Sequence, residues 1–397
     1  MKLNAKALGL VAGVAASAVV VTTALVARQV PQLAATDRPA APIQIATTPV
    51  TPSSTPSVST PSSTPSASKT PTTPTPTLQG PVTQNLDPGS LGRGAAPQIP
   101  YVNEHTLIAG GRKATSKSAI IAGARAGDGL LAVVAITDAR TELEIFDSTG
   151  RVTERVPDVS RVRSSAGGTY SAYSTEKFDF PSGAALKGST VSWRDNRSGE
   201  TFGLSRPDAY DVRILRVDSQ RVYFSSRASA ASSTSSLYEW WVDNGKVNRM
   251  TQVRTPTALS ANGTQAASLV SLTDTGSCTS VQASFNGTGY WKTCDYQVDA
   301  FGPAGRTVLA GPAYRDGYAD MYVAVLDNSN GKLLRKWQGV SVMRAAYEDD
   351  DHILLVAEKG SRGAIVRCSI STGDCELATP YVEGAGNQAV GNPYKLG

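Results

Sequence analysis

The chain has 397 residues, with 38 Lys and Arg against 33 Asp and Glu, a formal net charge of +5. Six basic residues against two acidic ones lie within 1–99, so nearly all of the excess sits there and the rest of the chain is close to neutral. A near-neutral globular part lacks the basic face that nucleic-acid binding needs, which argues against that class of partner.

Residues 1–6 are a short stub carrying Lys2 and Lys6. Residues 7–27 contain no charge. A helix of that length spans roughly 30 Å, the hydrocarbon thickness of a bilayer. Lys2 and Lys6 put the stub in the cytoplasm and everything after residue 27 outside. The expectation is a single-pass anchor in the cell membrane. A cleaved signal peptide is the competing reading, although the exit Leu25-Val26-Ala27 has Leu where a small residue is preferred, and no Cys follows to carry a lipid.

Residues 28–98 are dominated by Pro, Thr, Ser and Ala, with Thr-Pro recurring between Thr48 and Thr77. Such a stretch buries no core and reads as a disordered linker. Pro-rich chain extends about 3.1 Å per residue, so the spacer reaches roughly 200 Å.

Residues 99–397 carry two interleaved series of turns. The first is Gly127-Asp-Gly129, Ala166-Gly-Gly168, Asp218-Ser-Gln220, Ala261-Asn-Gly263, Pro303-Ala-Gly305 and Asp349-Asp-Asp351. The second is Asp147-Ser-Thr-Gly150, Asp195-Asn-Arg-Ser-Gly199, Asp243-Asn-Gly245, Asn286-Gly-Thr-Gly289, Asp327-Asn-Ser-Asn-Gly331 and Ser371-Thr-Gly373. Asn-Gly, Asp-Gly and Ser-Thr-Gly supply the positive φ that tight hairpins need. The runs between them are short and rich in Val, Ile, Leu and Tyr, which is strand composition. Four strands in a period of about 40–50 residues is the β-propeller pattern.

The expected fold is therefore all-β, with six blades over 119–157, 158–207, 208–255, 256–298, 299–338 and 339–380. A seventh blade would be closed by both chain ends, from 99–117 and from 381–397 with its run Gln388-Ala-Val390. A two-sheet sandwich is the alternative, but it leaves the repeat unexplained. Cys278 and Cys294 flank Asn286-Gly287, and Cys368 and Cys375 flank Ser371-Thr372. An even count in an exported domain reads as two hairpin disulfides.

The turns Leu259-Ser-Ala-Asn-Gly263 and Phe301-Gly-Pro-Ala-Gly305 resemble degenerate forms of the Ser-Pro-Asp-Gly turn of TolB-type and WD40-like propellers. With Trp291-Lys-Thr-Cys-Asp295 and Ala313-Tyr-Arg-Asp-Gly317, they make residues 98–397 similar to exported, membrane-anchored WD40-like propellers of actinobacteria. That resemblance implies a propeller without assigned catalytic residues.

No His-Glu-x-x-His, Gly-x-Ser-x-Gly or Walker loop occurs, and there are two His, His105 and His352. No cofactor and no metal site is indicated, and no catalytic residue is named. The Asp349–351 run reads as a solvated turn. Asp327 to Trp337 resembles one quinoprotein repeat, occurs fully once, and reads as a hairpin turn with a packed Trp.

Loop length is the better functional signal. The loops after the second strand of each blade share a face with the inter-blade connections. The 173–189 loop carries Phe178 and Phe180, and the 311–320 loop carries Tyr314, Arg315, Asp316 and Tyr318. A third, 225–236, is rich in Ser and Ala. Loops on a rigid scaffold commonly carry binding, and aromatics with Arg are enriched at interaction hot spots. The expected function is a binding module for an envelope protein or wall polymer, with these six residues as the contact set. The alternatives are an envelope glycan lyase or hydrolase, and a TolB-like assembly factor.

Overall fold

The computed structural model describes residues 82–137, 140–179, 184–315, 319–384 and 394–396. The chain divides into two compact units, Met1–Pro71 and Thr72–Gly397, and every described residue belongs to the second. The expected anchor over 7–27 lies outside the described residues. Among the described residues no helix is long and apolar enough to cross a membrane, and the helices are two short 3-10 turns, Pro88–Ser90 and Ala166–Gly168.

The described chain is a β-propeller. Consecutive antiparallel strands form four-stranded sheets over 119–157, 159–206, 210–254 and 256–293. A further four-stranded sheet joins both ends of the unit: Tyr394–Leu396 pairs with Tyr101–Asn103, which is followed by Thr106–Ala109 and Arg112–Thr115. The remaining sheet has nine strands. Its long strand Leu333–Tyr347 pairs through its first half with Asp320–Asp327 and through its second half with His352–Lys359. Gly339, at φ +88°, lies between the two halves.

The first strand of each sheet neighbours the first strand of the next, from Tyr394–Leu396 to Ala119–Ala126, Val159–Ser164, Tyr210–Val217, Pro256–Leu259 and Tyr296–Phe301. Leu333–Tyr347 returns to Tyr394–Leu396 and completes the ring. Sheets stacked this way are covered on both faces. That is why central strands such as Leu130–Val134 within Gly129–Thr137, and Val308–Pro312 within Thr307–Pro312, read as unbroken apolar runs buried throughout. The cores lie between sheets; Val102 and Leu107 of the closing sheet pack with Ile120, Leu130 and Val134 of the next. Full burial of each such side chain contributes about 1.5–3 kcal/mol.

The two turn series touch each other, which accounts for their shared period. A backbone N–H at or just before each second-series turn donates to a carbonyl at or next to the first-series turn of the same sheet: Asn196 to Thr169 O, Val242 to Gln220 O, Ser284 to Thr264 O, Asn328 to Arg306 O and Ile370 to Asp351 O. The second-series glycines all have positive φ, with Gly287 rather than Gly289 taking that role in its turn. At Gly331 a Cβ would also collide with the Trp291 ring. Two indoles tie neighbouring sheets, Trp193 Nε1 donating to Asp218 O at 2.9 Å and Trp291 to Asn328 O at 2.6 Å, and a third, Trp337, donates to Gly373 O at 3.3 Å within the nine-stranded sheet. Trp337, expected as a packed turn residue, is fully buried.

Both hairpin disulfides are present, Cys278–Cys294 and Cys368–Cys375, closing 16 and 7 residues. In the loop-entropy picture they contribute about 3 and 2.4 kcal/mol.

Three boundaries differ from the sequence expectation. Tyr296–Phe301 opens the next sheet instead of ending the 256–298 blade, because only Cys294 and Asp295 separate it from the preceding strand and no Gly or Pro marks the change. The 225–236 loop is shorter, since Arg221–Arg227 and Ser235–Trp241 take its ends. The closing strand is Tyr394–Leu396, and the run at 388–390 lies outside the described residues.

The largest difference concerns residues 82–98, assigned by composition to the linker. They run along the nine-stranded sheet as an ordered strap. Val82–Asn85 pairs in parallel with Arg335 to Gln338. Leu86 and Pro88 are buried, and Asp87 pairs with Lys359 at 3.1 Å. Gly92 and Gly94 exchange backbone bonds with Leu377. The strap is held largely by main-chain pairing and three buried apolar residues, Leu86, Pro88 and Pro97, so Pro/Ser/Gly-rich composition conceals it.

Candidate functional site: the axial cavity and its mouth

Because the first strands ring the axis, alternate residues of each point into a central channel. A cavity of about 470 Å³ opens there, with Arg163, Leu215, Thr257, Asp299 and Arg344 on five successive first strands among its lining residues. None of these was singled out from the sequence. The available signal is charge at alternate positions of the runs that lead to first-series turns, as in Val159-Ser-Arg-Val-Arg-Ser164 and Tyr210-Asp-Val-Arg213.

The face reached by the long loops carries the inter-sheet junctions. Asp158, Asp211 and Thr255 stand at or next to the start of first strands with φ of 60°, 48° and 48°. Positive φ at non-glycine residues costs about 1–3 kcal/mol each and persists only where the surroundings hold it. Here the Glu176 N–H donates to Asp158 O and the Leu269 N–H to Thr255 O. The first of these bonds fastens the 173–189 loop to a junction.

Of the six expected contact residues, Phe178, Tyr314 and Arg315 are described, and their surroundings differ. Phe178 forms an isolated antiparallel bridge with Ala185 and is half-buried. Tyr314 is 56% exposed. Arg315 turns inward to Asp299, donating from Nη1 to Oδ1 at 3.0 Å and from Nη2 to Oδ2 at 2.5 Å, with Asp320 Oδ1 at 3.3 Å from its Nε. Gly311 makes room for this turn, because a Cβ there would collide with Arg315 and Asp320. Burial pulls the Arg315 pKa down, but the bonds and charge of Asp299, with the charge of Asp320, more than reverse it, and the guanidinium stays charged. Arg315 is thus a strut at the cavity wall. Phe180, Asp316 and Tyr318 lie outside the described residues.

A second ion cluster stands on the same face. Asp211 accepts from Arg213 at 3.2 and 3.1 Å and lies 3.4 Å from Arg227. Beside it Glu176 is 5% exposed. Burial, and then the Asp211 charge, push its carboxyl up, against Arg161 and Ser160. A raised carboxyl pKa means that ionised Glu176 costs stability at neutral pH, and that this cost disappears below the unfolded carboxyl pKa. Glu176→Gln is therefore expected to raise the urea midpoint at pH 7 and to leave it nearly unchanged at pH 4. A lower midpoint at pH 7 would refute the assignment.

The Asp349–351 turn sits elsewhere and its carboxylates serve separate local bonds. Asp349 accepts from the Asp351 and His352 N–H groups, Asp350 from Ala304 N–H, and Asp351 from Ser369 Oγ and from Ser371. Neither His352 nor the exposed His105 lines the cavity. Among the described residues no group of three or more His, Cys, Asp or Glu is placed to hold a metal ion.

No family model and no curated protein matches the chain. Solved structures do. TolB from Acinetobacter baumannii is 16% identical with a TM-score of 0.40, covering 61% of this chain, which spans just under two thirds of TolB, 66%. The β-propeller domain of the Trilobed protease from Pyrococcus furiosus is 9% identical with a TM-score of 0.45, over 66% of this chain and 84% of that one. A puromycin hydrolase complexed with PGG is 13% identical with a TM-score of 0.49, over 74% of this chain and 55% of that one. The propeller assignment itself rests on the strand pairings and the closed ring described above.

Proposed function

We propose that this chain is an exported, membrane-tethered propeller whose task is binding, with the axial cavity and its loop-rich mouth as the contact face. Splitting the nine-stranded sheet at Gly339 gives two groups of four, edged by Val82–Asn85 and Val382–Glu383; with the five separate sheets this makes seven blades. Residues 7–27 serve as the anchor and the chain up to about residue 81 as the spacer, so the propeller works outside the membrane. The two disulfides favour that oxidising side. The partner is an envelope protein, as for an assembly factor of the TolB type, or a wall polymer.

The observation that carries this reading is an open cavity on the axis of the ring, lined by residues of several sheets and walled by charged side chains of two of them, Arg163 on one side and Asp299, Arg315, Asp320 and Arg344 on the other. Volumes of about 300–1,000 Å³ with a few convergent polar groups are typical of ligand sites. Crosslinking in intact cells, followed by identification of the captured species, tests it. The variant Phe178→Ala/Phe180→Ala/Tyr314→Ala leaves the Arg315 strut in place and is expected to lower capture at least tenfold with an unchanged melt. Undiminished capture would remove the loops from the contact face.

A second reading is an enzyme, a lyase or hydrolase of envelope glycans. The pairing of Arg315 with Asp299 and Asp320 at the cavity wall favours it. Glycan turnover by the purified protein would select this reading over pure binding.

A further inference from the structure

The ring leaves positive charge in its channel that its own carboxylates do not neutralise. Arg161 and Arg163 are two apart on Val159–Ser164, so the pleat sends both side chains to one face, and both are exposed. Arg344 stands on the second half of Leu333–Tyr347, is exposed, and shares the cavity with Arg163. Arg163 uses one Nη1 hydrogen on the Leu215 carbonyl and keeps the rest of its fork.

The neighbouring carboxylates are engaged by other arginines: Asp299 and Asp320 by Arg315, and Asp211 by Arg213 and Arg227. Glu176 feels the charge of Arg161 without forming an ion pair with it. Among the described residues no carboxylate pairs with Arg161, Arg163 or Arg344. Like charges held close together raise the energy of the empty site, though the solvent that reaches these side chains softens the repulsion. Crowding of the guanidiniums by the channel walls, and then the charge of Arg344, pull the Arg163 pKa down, and the same crowding and then Arg161 do so to Arg344, although both side chains keep contact with solvent.

We propose that Arg163 and Arg344, supported by Arg161, hold an oxyanion: the cavity takes a small acidic ligand, or the acidic end of a larger one, by its phosphate or carboxylate group. This rests on the reading of the axial cavity as a binding site and names the chemistry that fills it. Planar guanidinium forks grip both groups through paired charge-assisted bonds. An anion between the arginines also relieves their mutual repulsion, so binding stabilises the ring.

The test is titration calorimetry with thermal melts on the full chain at low salt, using inorganic phosphate, pyrophosphate and citrate as probes. At least one probe is expected to bind at a single saturable site and raise the melting temperature. The phosphate and citrate arms tell which group is preferred. Arg344→Gln and Arg163→Gln are each expected to weaken binding at least tenfold, since each removes a charge-assisted bond to the anion. Unliganded Arg344→Gln should melt at or above the parent, because it removes a repulsion, and that separates lost binding from lost folding. If no probe binds, or if Arg344→Gln binds as tightly as the parent, the oxyanion site is wrong. Capture in cells by Arg344→Gln, measured in parallel, then reports whether the contact face stands without it.

Discussion

Arg367→Met is expected to remove about 3–5 kcal/mol of stability, the range for breaking one side of a buried ion pair. Arg367 is 7% exposed. Its Nε and Nη2 donate to both carboxylate oxygens of Glu348, whose side chain is fully buried. Its Nη1 donates to Glu376 Oε1 at 2.6 Å and to Ala95 O at 3.0 Å, and Nη2 to Ala96 O at 3.0 Å. Glu348 also accepts from Gln98 N–H. The Arg367 pKa is raised, first by the bond to Glu348, as expected for a cation whose surroundings favour its charge. Methionine would leave the Glu348 carboxylate buried without a cation and the Ala95 and Ala96 carbonyls without a donor.

Urea unfolding measures the loss, and limited proteolysis within 82–98 should accelerate as the strap loosens. Adding Glu348→Gln to Arg367→Met should recover part of the stability, because the stranded charge causes most of the penalty. An Arg367→Met protein within 1 kcal/mol of the parent would mean that the cluster is decoration.

The second large effect is expected at the ring's closing strand. Leu396 is fully buried and packs with Tyr101, Leu354, Val356 and Ile365. Its strand supplies the first-strand partner of Tyr101–Asn103. Leu396→Ala should cost about 2–5 kcal/mol, the range for truncating a buried leucine. Hydrogen exchange should speed at Tyr101–Asn103 before it does at Ala119–Ala126, since the closing sheet loses its inner edge first. A Leu396→Ala melt indistinguishable from the parent, with unchanged exchange, would show that the ring does not depend on this closure.

The turns were legible in the sequence because each needs particular chemistry. Gly150, Gly199, Gly245, Gly331 and Gly373 all have positive φ, and only a few residue types tolerate that conformation. The disulfide pairs were legible for the same local reason, since Cys368 and Cys375 face each other across one hairpin. The axial site was not. Arg163 and Arg344 are 181 positions apart, and nothing local says that both point at one axis. Arg315 shows the same limit: its loop was chosen for surface contact, yet the guanidinium is drawn back to Asp299, a partner 16 residues away whose orientation depends on the ring. The strap at 82–98 failed for a different reason. Its docking uses backbone groups that every residue carries, so composition alone does not register it.

The strap also sets how the ring meets mechanical load. Tension arriving along the chain from before residue 82 is taken up first by the ladder between Val82–Asn85 and residues 335–338. It then reaches the Asp87–Lys359 contact and the Arg367 cluster before it can reach Tyr101. The outer wall of the ring thus works as a strain relief for the three-residue seam at Tyr394–Leu396, and a pulled molecule should shed its strap while the ring stays shut.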